Sequence, residues 1–381
     1  MRGFGTTIFA EMSALALSTG SVNLGQGFPD TDGPAALLEG AVQAIRGGAN
    51  QYPPGRGVPA LRSAVAEHQR HWYGIDVDPE RGVLVTVGAT EAIAACVLAL
   101  CERGDEVVVL DPAYDSYGAT IALAGAVRRS VLLEPPTFAL DEDALAAAFS
   151  DRTRVVLLNS PHNPTGRVLS TAELEMVARL ARRHDAIVVS DEVYEHLVFD
   201  AVRHVPIATL PGMAERTLTI GSAGKTFSVT GWKIGWVSGP AALVDAVTTV
   251  KQFLTFVNGA PFQLPVAVAL GGSDEEFNAR ADDLGRRRVL LAEGLSSVGF
   301  EVLMPQAGYF VLADAAALGG QDSIEFCRRL PHRAGVVAIP VQVFCQDPGP
   351  VRSLVRFAFC KQEQVLEEAV RRLGVLASQV D

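Results

Sequence analysis

The stretch GSAGKTFSVTGWKIGW, residues 221–236, decides how this chain is read. Its letters GKT end many nucleotide-binding loops, so Lys225 either holds a phosphate chain or uses its amine in chemistry of its own. A phosphate loop has the form GxxxxGK[ST]. Counting back from Gly224, the required first glycine falls on Thr219, so the loop is two residues too short to wrap phosphates. No GxGxxG follows a strand either, which removes the dinucleotide fingerprint. The alternative is a lysine that bonds covalently to an aldehyde. That chemistry needs an unprotonated amine, which burial or a neighbouring cation supplies by lowering the lysine pKa. Lys233 offers such a cation on the same loop, and Ser222 a hydroxyl for a phosphate oxygen.

Outward from this loop, short β-branched runs alternate with helical patterns. VLVTVGA (83–89), EVVVLDP (106–112), RVVLLNSP (154–161), AIVVSDEVY (186–194), TLTIGSA (217–223) and KIGWVSG (233–239) read as strands. TEAIAACVLALCERG reads as a helix stopped by Gly104, and Ser170 or Thr171 caps another over 170–185. Strands that are apolar throughout and separated by helices predict a mostly parallel sheet covered on both faces. Ligands of such sheets bind at the carboxyl ends of the strands. After about residue 275 a long amphipathic helix is followed by GFEVLMP, GYFVLADA, GVVAIPV and LVRFAFC, the texture of a smaller α+β unit.

Composition bounds the function. With 381 residues, 49% hydrophobic and 20% charged, the chain has the make-up of a globular enzyme of one large and one smaller domain. A net charge of -11 argues against a general nucleic-acid binder. The longest apolar run, AIAACVLALC (92–101), is about half of the roughly 20 residues a membrane span needs. Five cysteines without a CxxC pair, and no export signal around Glu11, lead us to expect reduced thiols in the cytoplasm. No His/Cys cluster has metal-ligand spacing, so no metal is expected, and His162 and His196 read as bystanders.

The segment SxxKTFSxTGWKxGW closely resembles the cofactor-lysine segment of pyridoxal-5'-phosphate aminotransferases of fold type I, class I/II. LGQGFPD (24–30), NQYPPGRGVPALR (50–62), VGATEA (87–92), DPAYDSY (111–117), NSPHNPTG (159–166), DEVY (191–194) and SLVRFAF (353–359) then fall in the family's order. The resemblance implies an α/β fold with a large cofactor domain (31–272), a smaller C-terminal α+β domain (273–381) and an N-terminal arm (1–30). It also implies a ping-pong exchange of an amino group between an amino acid and a 2-oxo acid.

Site residues carry over from the matching motifs. Lys225 would hold the cofactor and shuttle the proton at the substrate α-carbon. Asp191 would keep the pyridine nitrogen protonated, while Asn163 and Tyr194 would bond the ring's phenolate oxygen. Tyr114 matches the aromatic stacked on the ring, with Tyr117 competing for that place. Ala89, Thr90, Ser222 and Lys233 would hold the phosphate, joined by Tyr52 of a neighbouring subunit. A homodimer with shared sites follows. Arg356 would grip the substrate α-carboxylate, with Gly27 close by.

The loop and LGQGFPD resemble kynurenine and glutamine transaminases, but Asn258 and Gly259 stand where those enzymes tend to carry an aromatic and a histidine. VNGAPFQ and NQYPPG are more similar to an actinobacterial branch usually labelled N-succinyldiaminopimelate aminotransferase. A substrate with further carboxylates wants a second cation, for which Arg56 is the candidate. A cysteine-conjugate β-lyase, with the same cofactor and residues, is the alternative activity.

Overall fold

The structure is a computed structural model that describes residue 5 and residues 7–379. Its strands are β1 (Val22–Asn23), β2 (Val83–Val87), β3 (Glu106–Asp111), β4 (Val127–Leu132), β5 (Thr153–Asn159), β6 (Ile187–Asp191), β7 (Thr217–Ser222), β8 (Ile234–Ser238), β9 (Glu301–Leu303), β10 (Phe310–Asp314), β11 (Val336–Val337), β12 (Ile339–Pro340) and β13 (Leu354–Ala358). Seven of them form one sheet in the order β2-β8-β7-β6-β5-β3-β4. Neighbours from β4 to β7 run parallel, and β8 alone runs the other way, antiparallel to both β7 and β2. Helices pack on the sheet, and its strands are buried on both faces except at the edge.

β4 was not evident in the sequence. It is the edge strand, and VRRSVL carries two arginines and a serine where central strands carry valine and leucine. Those arginines reach back over the sheet, Arg128 to Asp111 and Arg129 to Glu106, so the edge is polar and closed to further pairing.

Early helices are α1 (Ile8–Thr19), α2 (Ala35–Arg46), α3 (Pro59–Tyr73), α4 (Gly88–Leu100) and α5 (Asp115–Ala124). Helix α4 ends at Leu100, before the expected stop at Gly104, because Cys101 turns extended. Thr7 caps α1, and Ser170 with Glu173 forms a capping box on helix Thr171–Arg183, as the sequence pattern requires. A second, antiparallel sheet, β12-β13-β10-β9, lies entirely in the last third of the chain, and β1 pairs with β11 beside it. The 25-residue helix Asp274–Val298 packs on β9 and β10. Among the described residues, no helix is long and apolar enough to cross a membrane.

Candidate active site

The carboxyl ends of β5, β6 and β7 and the amino end of α4 surround a cavity of about 290 Å³, with β10 and β13 of the second sheet closing one side. Lys225 reaches it from a four-residue helix, Ala223–Thr226, directly after β7. Its Nζ donates to the Gly27 carbonyl at 3.0 Å and lies 5.6 and 5.2 Å from the ring centres of Tyr194 and Tyr309. Tyr309 Oη donates to the Lys225 carbonyl at 2.9 Å, fixing the turn that carries the lysine. Burial lowers the Lys225 pKa to about 8, and the cations of Arg356 and Lys233 push the same way against Cys360 and Asp191. The amine is thus part-neutral near physiological pH, as bond formation to an aldehyde requires.

Asp191, the last residue of β6, is almost fully buried and faces the same cavity. Burial raises its carboxyl to about 6, opposed by a hydrogen bond from Tyr117. Tyr114 and Tyr194 also line the cavity, and Tyr114 meets Tyr117 edge-on, ring centres 5.7 Å apart. Asn163 sits on the loop after β5, its N–H donating to Asn159 Oδ1 at 2.8 Å.

On the opposite wall, β13 presents Arg356, which is 2% exposed. Its Nη1 donates to Asn163 Oδ1 at 3.0 Å and its Nη2 to the Gly25 carbonyl at 3.1 Å, while Nε is buried with no partner. Phe310 lies 3.8 Å beneath the guanidinium, with Phe9 and Phe344 at 5.2 Å. Burial lowers its pKa to about 10, which leaves it cationic at neutral pH. A buried cation with neutral hydrogen-bond partners and an idle N–H has the chemistry to receive a carboxylate. Gly27 must be glycine here, because a Cβ would overlap the Phe310 ring.

Ala89 and Thr90 open α4, so their N–H groups are free of intrahelical partners and the helix dipole favours an anion there. Ser222 and Lys233 line the same end. Lys233 adopts a left-handed backbone, φ 54°, and Asn258 Nδ2 bonds its carbonyl at 3.3 Å and that of Thr86 at 3.1 Å. Asn258, one of the departures from the kynurenine pattern, is therefore part of the scaffold behind this corner. Gly235 packs against it so closely that a Cβ would come within 2.7 Å of the Gly88 carbonyl carbon.

Two expected residues lie elsewhere. Tyr52 is 82% exposed, packs edge-on against Phe256 and does not line the cavity of its own chain. Arg56, the candidate second cation, is instead paired with Asp245 and the Arg81 carbonyl, because its loop turns towards the helix that carries Asp245. Sequence reading missed Phe9, Gln26, Phe28 and Phe310, which also line the cavity. Gln26 ties the loop to α1 through Ser13 Oγ at 2.6 Å.

His196, read as a bystander, joins His68 and Glu195 in a buried group whose donor atoms lie within 4.8 Å of one another. No sequence spacing brings residues 68 and 196 together; the packing of α3 against the segment after β6 does. Two nitrogens on one zinc ion at 2.0–2.1 Å stand about 3.3 Å apart. The His68 and His196 Nε2 atoms are 2.6 Å apart and share a proton as a hydrogen-bonded pair. Burial, with Glu192 nearby, raises the Glu195 carboxyl to about 8.

A mostly parallel sheet with a lysine after one strand, a buried acid ending the strand beside it and an anion-binding helix start define a pyridoxal-phosphate enzyme of fold type I. The chain belongs to the aminotransferase class I and II family, whose model matches residues 19–373. A probable N-succinyldiaminopimelate aminotransferase of Mycobacterium tuberculosis is 54% identical over 99% of this chain and 98% of its own. A methionine aminotransferase of Escherichia coli is 42% identical over 98% of this chain and 96% of its own. The solved structure of N-succinyldiaminopimelate aminotransferase from Mycobacterium tuberculosis matches with a TM-score of 0.96, covering 98% of both chains. Aspartate aminotransferase from Thermus thermophilus matches at 0.90 with 33% identity, covering 98% of both chains. The donor set fits pyridoxal phosphate: a part-neutral amine, a buried carboxylate and a helix N-terminus with Lys233 meet around one cavity.

Proposed function

We propose that this aminotransferase takes N-succinyldiaminopimelate as its amino donor and 2-oxoglutarate as acceptor. The identity of 54% over nearly the whole chain to an enzyme of that name supports the donor. The convergence of Lys225, Asp191 and Arg356 on one cavity carries the chemistry. Bound pyridoxal phosphate supplies an electron-withdrawing ring and carries the amino group between the two half-reactions. Arg356 binds the donor's α-carboxylate with its planar fork, beside Gly27. Lys225 would hold the cofactor through its amine and, as a free base, would take up and return the proton at the substrate α-carbon. Asp191 would keep the cofactor's ring nitrogen protonated, and Asn163, Tyr194 and Tyr114 would hold the ring in the same cavity. Ala89, Thr90, Ser222 and Lys233 bind the phosphate.

The enzyme works as a homodimer in the cytoplasm, Tyr52 of each subunit serving its neighbour's phosphate. In support, Tyr52, Phe253, Phe256, Leu264 and Val268 leave large apolar surfaces exposed on one chain. A second reading of the donor rests on part of the lining: Phe9, Phe28, Phe310, Ile93 and Val193 share the cavity wall with the three cations Lys225, Lys233 and Arg356 and with polar residues such as Gln26 and Thr230. The apolar part of that surface suits an uncharged side chain such as methionine. A donor panel against 2-oxoglutarate decides between them. We expect kcat/KM for N-succinyldiaminopimelate at least tenfold above methionine, and the reverse order would replace the first reading with the second. Pyruvate and ammonia formed from cysteine conjugates without an oxo acid would mark a β-lyase instead.

A further inference from the structure

The acid at the end of β6 does not hold itself in place. Its backbone is fixed, since the Asp191 carbonyl accepts from Asn159 Nδ2 at 2.8 Å and from the Ser160 N–H at 3.3 Å. The carboxylate has one short bond: Tyr117 Oη donates to Oδ2 at 2.6 Å. The other oxygen meets only the Val193 N–H, at 3.4 Å. A phenol at 2.6 Å falls in the range of a hydrogen bond to an ionised carboxylate, 2.5–2.7 Å, and such bonds are about twice as strong as neutral ones. We propose that Tyr117 is a positioning residue for the amino-transfer reaction: it occupies Oδ2, locks the Asp191 side chain in one orientation and leaves Oδ1 as the oxygen offered to the cofactor ring.

The local fold explains why position 117 does this. Tyr114 precedes α5 and Tyr117 lies in its first turn, three residues on, so both project from the same side of one helical turn. Their rings stand at 88° to each other. Both rings line the cavity, and the Tyr117 hydroxyl is the one that reaches the acid. Tyr117 is 2% exposed and packed in the main core, so its hydroxyl is held by the protein whether or not a ligand is bound. Ring stacking and acid orientation are thereby set by a single helix start. A mobile carboxylate would have to be oriented anew at each binding event, and a preorganised one does not.

This inference rests on the proposed pairing of Asp191 with the ring nitrogen, and the experiment separates the two. Tyr117→Phe, Asp191→Asn and the double variant are compared as apoenzymes for pyridoxal phosphate affinity by equilibrium dialysis, and as holoenzymes for the amino half-reaction. Tyr117→Phe is expected to weaken cofactor binding at least tenfold and to lower kcat similarly, with the donor KM changed less than about threefold. In the Asp191→Asn background it is expected to add nothing, because it acts through that carboxylate. Wild-type affinity and kcat in Tyr117→Phe, or two losses that multiply in the double variant, would overturn the proposal. If Asp191→Asn itself binds cofactor and turns over normally, the pairing is wrong and the proposal falls with it. Should Tyr117→Phe prove unstable, 3-fluorotyrosine at position 117 preserves packing while changing the donor's acidity. A shift in the pH midpoint of cofactor release is expected there, and no shift refutes the role.

Discussion

Arg356→Lys is the sharpest perturbation of the recognition wall. It keeps the charge but replaces a planar fork by a point ammonium on a shorter reach. In the native site two of the three guanidinium nitrogens are engaged, Nη1 with Asn163 Oδ1 at 3.0 Å and Nη2 with the Gly25 carbonyl at 3.1 Å. Nε is idle, and the flat cation lies 3.8 Å over Phe310. A lysine cannot hold both neutral partners and still present a pair of parallel donors to a carboxylate. One charge-assisted hydrogen bond of about 1.5–3 kcal/mol is therefore lost on substrate binding. That corresponds to a roughly 10- to 150-fold fall in kcat/KM for any α-amino acid donor. The assay is the single-turnover amino half-reaction followed by cofactor absorbance across donor concentrations, with cofactor content measured separately. The loss should appear mainly as weaker donor saturation, and an amine lacking a carboxylate should react no more slowly than with the wild type. Unchanged kcat/KM with full cofactor occupancy would refute the clamp.

Other perturbations test different parts of the site. Lys225→Ala should abolish the near-visible absorption of purified enzyme while circular dichroism stays native; a retained band would remove Lys225 from the cofactor bond. Capture of pyridoxal phosphate by apoenzyme should speed up as pH rises through about 8, where the Lys225 amine loses its proton, and a midpoint near 10 would show the amine is not perturbed. Glu195, raised to about 8 by burial, binds a proton in the folded state that the unfolded chain releases near 4.5. Its contribution to stability is complete below about pH 4.5 and is lost as pH rises towards 8, at up to about 1.4 kcal/mol per pH unit. Glu195→Gln should flatten urea-unfolding stability between pH 5 and 8, and an unaltered slope would disprove the assignment. For the dimer, inactive Lys225→Ala subunits mixed with weakened Tyr52→Ala subunits should regain up to half of wild-type activity, because one site of the hybrid combines both native residues. Failure of exchanged subunits to complement would place Tyr52 outside its neighbour's site.

Much of this arrangement was legible because the chemistry sits where strands end. Asp191, Ser222 and Lys225 follow apolar runs whose endings the sequence marks plainly, and the start of α4 is marked by VGATEA. Arg356 stood out as a charge inside the apolar RFAF. What escaped notice depends on contacts between distant segments. The Phe9, Phe310 and Phe344 rings around Arg356 come from α1, β10 and the turn before residue 345, and each alone looks like ordinary core. The pairing of Arg56 was out of sight for the same reason, since its partner Asp245 lies far along the chain. β4 escaped because an edge strand needs no second apolar face. His68 and His196 could not be seen as a pair until α3 packed beside the loop after β6.

The division of labour between the two sheets has a consequence for how the protein is made. β2 finds its neighbour only when β8 has been synthesised, and with residue 238 the seven-stranded sheet, Lys225 and Asp191 are all in hand. Arg356 arrives on β13, the last strand of the chain. A nascent chain emerging from the ribosome therefore carries Asp191 and Lys225 well before it carries Arg356.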